Sequence, residues 1–355
     1  MAQHSTIHRG SRGRLPTASA LAWLNEWQRA HAGNPVFRPG NASGMDLPPQ
    51  RLPRRLFQTV NAGAPDFAAK SKLLRIWRDL NPEYDWHLFS ESDCSAFVRR
   101  VADPEQAWAY ESLAVGAMRA DYFRVLILVH LGGVYADIDV VTRRGLRTII
   151  PPDASMVATP RHAFEFLLAE PHHPLLQNVA WDVAMQVRKQ VLMHRHGKLC
   201  DGPNECVIAV TGPAQYKSSM ESAATRLGCE VNSAVYPYFR GCTRSRSGAV
   251  AATFVCADED VRVTTWITRG WDCGIAFHRR CVTARKRQSC SGVDARNKSE
   301  HYTDAANQRK YFHLDVRIPS LIPGALRPAA RTMSSKGFFS PLSRPYGKRK
   351  RHGLR

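Results

Sequence analysis

Ala117–Val141 reads AMRADYFRVLILVHLGGVYADIDVV, and this stretch decides the fold. It carries Asp121 and Arg124, then an apolar run, then Gly132-Gly133, and it closes on Asp137-Ile138-Asp139. The spacing predicts a helix, a glycine turn and a strand that delivers two carboxylates to one place. Glycine after the helix supplies the positive φ often needed at that position. The run Val125–Val129, VLILV, is core packing on either reading, and its periodicity does not separate helix from buried strand.

Along an extended strand, residues i and i+2 face the same side. On such a strand Asp137 and Asp139 both reach one ion, directly or through water, while Ile138 turns to the core. Their hard oxygens suit Mg²⁺ or Mn²⁺, ions that combine one or two protein carboxylates with substrate phosphates. The carboxyl end of a strand is also where open α/β sheets bind ligands. Taken alone, an Asp-x-Asp fits any solvated strand edge. Asp121 and Arg124, three apart, fit a surface ion pair of little energetic weight.

The same reading extends outward. Leu56–Val60 is expected as the first strand, and Ala68–Leu80 as a helix closed by Asn81-Pro82, since the residue before proline avoids the helical region. Tyr84–Phe89 follows as a strand, Glu91–Val101 and Glu105–Leu113 as helices, and Ala154–Ala158 as a strand. Leu175, Leu176, Val179, Ala180, Val183, Ala184, Val187 and Val191 recur at helical spacing and predict a long core-facing helix. Cys206–Val210 reads as a strand, and Pro213 suits a first helical turn. Strands alternating with helices imply an α/β layered domain.

Asp121–Asp139 resembles the signature of glycosyltransferases that carry a DXD sugar motif, in particular the Och1-like α-mannosyltransferase family, itself similar to the catalytic domains of large clostridial glucosylating toxins. The matching residues are Ala120-Asp121-Tyr122-Phe123-Arg124, Leu131 and Gly132-Gly133-Val134-Tyr135-Ala136-Asp137-Ile138-Asp139, with Ala120 standing where the family has Ser. Pro53–Val60 resembles the family's opening strand, with Phe57 for a His and Val60 for a Trp. Trp77, Asn81–Phe89 and Asp93 resemble its next segment, and Val210-Thr211-Gly212-Pro213 resembles a strand-to-helix turn. A late His/Trp element of the family has no counterpart at the expected spacing; Trp266, Trp271 and His278 come nearest.

The resemblance implies a GT-A-type nucleotide-sugar fold with a mixed central sheet. It implies a metal-dependent transfer of a hexose from a UDP- or GDP-sugar to a glycan, glycolipid or protein acceptor, with retention. Asp121 would contact donor hydroxyls and Arg124 the nucleotide or sugar. Asp137 would meet the sugar, ribose or metal, and Asp139 would bind the metal more directly, as Mn²⁺ or Mg²⁺. Gln58 and Thr59 would meet the nucleotide, while Tyr135 reads as core. The expected domains are a basic, largely disordered leader over 1–50, with a short helix candidate at Ala18–Arg29, then a catalytic domain over 51–255 and a basic, partly disordered region over 256–355.

The chain of 355 residues carries a net charge of +20. From Cys256 onward 21 Lys/Arg face 8 Asp/Glu, and the last forty residues contain no acid. That tail could touch anionic membrane or nucleic acid. A basic nucleic-acid-binding protein is therefore a rival reading, although it leaves Asp121–Asp139 unexplained. A decayed glycosyltransferase that binds sugar nucleotide without turnover is another. No stretch approaches the ~20 apolar residues of a membrane span, and the first residues lack a signal-peptide apolar core. The resemblance implies a Golgi or other secretory membrane; without an anchor the alternative is the cytoplasm. Nine cysteines show no Cys-x-x-Cys pair, which argues against zinc, while Cys200 and Cys206 are the closest candidates for a disulfide.

Overall fold

The computed structural model describes residues 16–47, 49–60, 67–138, 140–142, 145–148, 150, 152, 154–158, 165–196, 203–228, 230–232, 252–255, 262–265, 275–277 and 311–319. Within them the chain forms α1 (Ala18–Ala30), β1 (Phe37–Arg38), β2 (Arg55–Thr59), α2 (Phe67–Leu80), β3 (Asp85–Phe89), α3 (Glu91–Val101), α4 (Pro104–Ser112), α5 (Gly116–Leu131) and β4 (Gly133–Ala136). Next come β5 (Val140–Thr142), a 3-10 turn (Leu146–Thr148), β6 (Met156–Ala158), β7 (Phe166–Ala169), α6 (Pro174–Arg195), α7 (Pro203–Val210) and α8 (Pro213–Arg226). Four strands complete the set: β8 (Glu230–Asn232), β9 (Ala252–Val255), β10 (Arg262–Thr265) and β11 (Ile275–Phe277).

Nine strands of the described residues make one mixed sheet in the order β1-β3-β2-β4-β7-β6-β10-β9-β8. β2 runs parallel to both β3 and β4, whereas β7 is antiparallel to β4 and β6. Successive strand residues face opposite ways, so the sheet separates two cores. Phe57, Phe89, Tyr135 and Leu167 pack with α1, α3, α4, α5 and α6 on one face. Leu56, Trp86, Leu88, Val134 and Leu168 pack with Trp77 of α2 on the other. Each fully buried Leu, Val or Phe contributes about 1.5–3 kcal/mol. The result is the expected α/β layered architecture with a mixed central sheet.

The VLILV run lies in α5, not in a strand. A helix apolar on all sides must be covered on all sides, and α5 sits between the sheet and the other helices, with Val125–Leu128 fully buried. Cys206–Val210 departs from the expectation: it belongs to α7, which opens at Pro203. A short apolar run fits a buried helix as well as a strand, and proline is well placed in a first helical turn. The Val210–Pro213 turn therefore joins two helices.

Within the stretch expected as a leader, α1 and β1 pack against the sheet and its helices. Trp23 and Trp27 of α1 are buried, Trp23 meeting Phe97 edge-on at 5.0 Å. Trp27 Nε1 donates to Asp93 Oδ1 at 3.0 Å, on the residue that caps α3 reciprocally with Ser90. β1 adds an antiparallel edge to β3. From the basic C-terminal region, Tyr311 and Phe312 are buried, and Phe312 bridges to Leu113. Arg195 Nη2 donates to the carbonyls of Leu314 and Val316 at 2.6 and 2.9 Å. Apart from β10, β11 and residues 311–319, that region, with Trp266, Trp271 and His278, lies outside the described residues.

Candidate active site

Two glycines set the geometry. Gly132 (φ 64°) ends α5 and Gly133 (φ 115°) opens β4, both in backbone that side chains rarely adopt. A Cβ on Gly132 would lie 2.4 Å from Pro171 Cδ, and one on Gly133 2.6 Å from the Arg55 carbonyl. The reversal brings the first half of α5 level with the carboxyl end of β4. Asp121 and Arg124 share one face of α5 at i, i+3. Asp137 lies just past β4 and has the same strand parity as Tyr135, which faces α5.

Arg124 joins them. Its Nη2 donates to Asp121 Oδ1 at 2.9 Å and to Asp137 Oδ1 at 3.2 Å. Its guanidinium carbon also sits 5.0 Å from the Tyr135 ring centre. Side-chain exposures of 5% for Arg124, 13% for Asp121 and 23% for Asp137 rule out a plain surface pair. Removing one partner of such a buried cluster costs about 3–5 kcal/mol. Asp137 remains the most open of the three.

Burial pushes the Asp121 carboxyl up to about 7; Arg124 and a hydrogen bond to Thr211 oppose this, while Asp137 and Glu165 add to it. Burial works against the charge on Arg124, but Asp137, Tyr135, Asp121 and Glu165 more than offset it, so the guanidinium is held above its ordinary range. Glu165 and Thr211 belong to this electrostatic unit, and the linear sequence did not single out either as a site residue. Glu165 immediately precedes β7, whose Phe166 pairs with Ala136, and its carbonyl accepts the Asp137 N–H at 2.8 Å.

Asp137 is not on a strand. β4 stops at Ala136, and the Val140 N–H donates to the Asp137 carbonyl at 3.0 Å, closing a four-residue turn. The alternation argument thus gives way to a turn between β4 and β5, with Ile138 only partly buried against the α2-side core. Asp139 lies outside the described residues. β5 then pairs with β11 in a separate two-stranded sheet.

Gln58 and Thr59 end β2 at the same edge but face opposite ways. Thr59 Oγ1 lies 2.8 Å from the Tyr135 hydroxyl, so the two share a hydrogen bond. Gln58 is fully buried and its Oε1 accepts the Trp86 indole N–H at 2.9 Å. Tyr135 is core, as its sequence position implies, and it also carries Thr59 and Arg124.

Among the described residues no three His, Cys, Asp or Glu side chains gather as a metal site; what they offer a hard divalent cation is charge. One guanidinium stands among three carboxylates, Asp121, Asp137 and Glu165, leaving an excess of negative charge. Asp137 keeps part of its surface while bonded to Arg124. Carboxylate oxygens with sites left to a diphosphate are the usual environment of Mg²⁺ or Mn²⁺.

Residues 68–156 match the family described as glycosyltransferase sugar-binding region containing DXD motif. The matched segment includes Asp121, Arg124 and Asp137. The chain is similar to the initiation-specific alpha-1,6-mannosyltransferase of Candida albicans, 32% identical over 95 residues that make up 25% of each chain. The enzyme of that name from Schizosaccharomyces pombe is 25% identical over 190 residues, 46% of each. Mannosyl phosphorylinositol ceramide synthase of Saccharomyces cerevisiae is 27% identical over 145 residues, 39% of this chain and 37% of the relative. The chain thus spans between a quarter and just under half the length of these relatives. Among solved structures, PaToxG glycosyltransferase aligns with a TM-score of 0.37 at 13% identity, over 59% of this chain and 80% of that one.

Proposed function

We propose that the chain is a metal-dependent hexosyltransferase of GT-A type that uses a UDP- or GDP-sugar and passes mannose to a glycan, glycolipid or protein acceptor, with retention at the anomeric carbon. The observation that carries this reading is the bridge from Arg124 to Asp121 and Asp137 at the carboxyl edge of the sheet. Three mannosyl-transferring relatives support the choice of sugar. Retention and the GT-A type rest on the resemblance of the DXD segment.

In this reading Asp137 and Asp139 would hold Mn²⁺ or Mg²⁺, which would supply Lewis-acid charge for a diphosphate leaving group. Asp121 meets donor hydroxyls. Arg124 fixes the angle of both carboxylates and adds a positive charge near the leaving group. Thr59 lies at the rim of the donor site. Gln58 acts from beneath, by holding Trp86. A disulfide at Cys206, whose partner lies outside the described residues, supports a Golgi or other secretory setting, where such bonds persist. Among the described residues no helix is long and apolar enough to cross a membrane.

The test is a screen of UDP- and GDP-hexoses for nucleotide release, with Mn²⁺ and with chelator. Mn²⁺-dependent hydrolysis of a mannosyl donor, lost in Asp137→Asn, is the expected outcome. Failure of every donor either to bind or to react overturns the reading.

A further inference from the structure

Trp77 of α2 is fully buried, and the simplest account of it is core packing beneath the sheet. Its contacts are more specific than that. The indole has one donor, Nε1–H, and this donor goes to the carbonyl of Val140 at 2.6 Å. Val140 closes the turn that begins at Asp137. The Trp77 ring also stacks on Phe166, with centres 6.0 Å apart and planes 23° from parallel. Phe166 pairs with Ala136 and follows Glu165, whose carbonyl holds the Asp137 N–H. One side chain therefore braces the exit of the Asp-x-Asp turn and the strand that receives its entry.

The residues that follow α2 extend the brace. Asn81 Nδ2 donates to the Trp77 carbonyl at 2.7 Å, and its Oδ1 accepts the Leu146 N–H at 2.6 Å. Arg147 donates to the Leu80 carbonyl at 3.2 Å and to Glu83 Oε2 at 3.1 Å. The chain leaving the turn is thus fastened to the end of α2 at Val140, Leu146 and Arg147. Toward the other face, Asp137 is held by Arg124. The turn lies between a charged clamp from α5 and an amide-and-indole clamp from α2.

We propose that Trp77 is a positioning residue for the turn that begins at Asp137, its indole N–H fixing the Val140 carbonyl and so the angle at which the turn presents the Asp137 carboxylate to a divalent cation and nucleoside diphosphate. This rests on the hexosyltransferase reading for the ligand, but not for the mechanical link between Trp77 and the turn. Groups that orient metal ligands without touching the metal typically govern 10–100-fold in metal affinity.

The experiment uses the full chain and Trp77→Phe, which keeps an aromatic ring against Phe166 and removes the donor. Tyr84→Phe serves as control, since it removes one buried hydroxyl bond, to Gln50 at 3.0 Å, within the same core. Two readouts are taken: amide hydrogen exchange over the peptide spanning Asp137–Arg147, and binding of Mn²⁺ with GDP or UDP followed by the free-ion electron paramagnetic resonance signal. The expected result for Trp77→Phe is faster exchange confined to that peptide and Mn²⁺ binding weakened about tenfold or more, with Tyr84→Phe moving neither. Unchanged exchange, exchange raised evenly along the chain, or local loosening with unaltered Mn²⁺ affinity each overturn the proposal. A wild-type chain that binds no Mn²⁺ with either nucleotide overturns the hexosyltransferase reading instead, and exchange then decides the mechanical link alone.

Discussion

Nη2 of Arg124 lies 3.2 Å from Oδ1 of Asp137, so a residue of the central helix grips the first carboxylate of a turn that begins only after its strand has ended. The same nitrogen holds Asp121. Rigidity that a longer β4 would have supplied comes here from the guanidinium. Arg124→Ala should therefore cost about 3–5 kcal/mol of stability and abolish donor binding. Arg124→Lys should restore part of the stability and little of the binding, because one ammonium does not reproduce a planar fork. Thermal denaturation and nucleotide-sugar titration on the same preparations check both.

The carboxylates past β4 should separate chemistry from folding. Asp139→Asn and Asp137→Asn keep side-chain shape and remove charge. Asp139→Asn should leave the melting temperature nearly unchanged and eliminate Mn²⁺-dependent hydrolysis. Asp137→Asn should do the same with some loss of stability, since it weakens the bond to Arg124. Full activity in Asp139→Asn would remove the metal role from this motif.

Asp121 predicts a pH effect of definite sign. Burial raises its folded carboxyl to about 7 from an ordinary value near 3.8. Between those two pH values the folded state holds a proton that the unfolded state releases, so stability falls as pH rises through the interval. Asp121→Asn removes the penalty. Its melting temperature relative to wild type should climb from pH 4 to pH 7 and then level off, measured without divalent metal. A flat difference would show that the Asp121 carboxyl titrates in its ordinary range.

Much of this was legible locally. Glu91–Val101, expected as a helix, is α3, and Gly132-Gly133 announces the reversal before β4. The α5–β4 pairing of Asp121 and Arg124 with Asp137 follows from helix spacing and one turn. What the sequence hid was set by distant partners. Glu165 reaches the site because β7 lies antiparallel to β4, and strand order is not a local property. Trp77 looks like core by composition, and its role depends on where one N–H points. The Cys206–Val210 run reads as strand until Pro203 and the packing of α7 decide otherwise. Ala18–Arg29 showed its helix, but its docking through Trp27 on Asp93 needs a surface more than sixty residues away.

Truncation tests the far end of the chain. The acid-free stretch begins after Asp315, and its first residues belong to the fold. Val316 and Ile318 pack on the helix-side core, and Arg188 donates to the Pro319 carbonyl. Ending the chain after Ser320 should preserve donor hydrolysis and thermal stability. Ending it after Asp315 should lower the melting temperature by several degrees while sparing metal affinity. Equal stability of the two truncations would show that Val316–Pro319 adds no strength.

The bridge between Leu113 and Phe312 bears on how the protein is made. Its two halves lie on opposite sides of the whole β4–β11 region, so the α4–α6 surface beneath Phe312 stays uncovered until most of the chain has left the ribosome. Contacts this distant form late, and an apolar surface waiting for them invites association with other chains. Low yield on rapid overexpression, relieved by slower synthesis or lower temperature, would then reflect the order in which the parts become available and not any weakness of the finished fold.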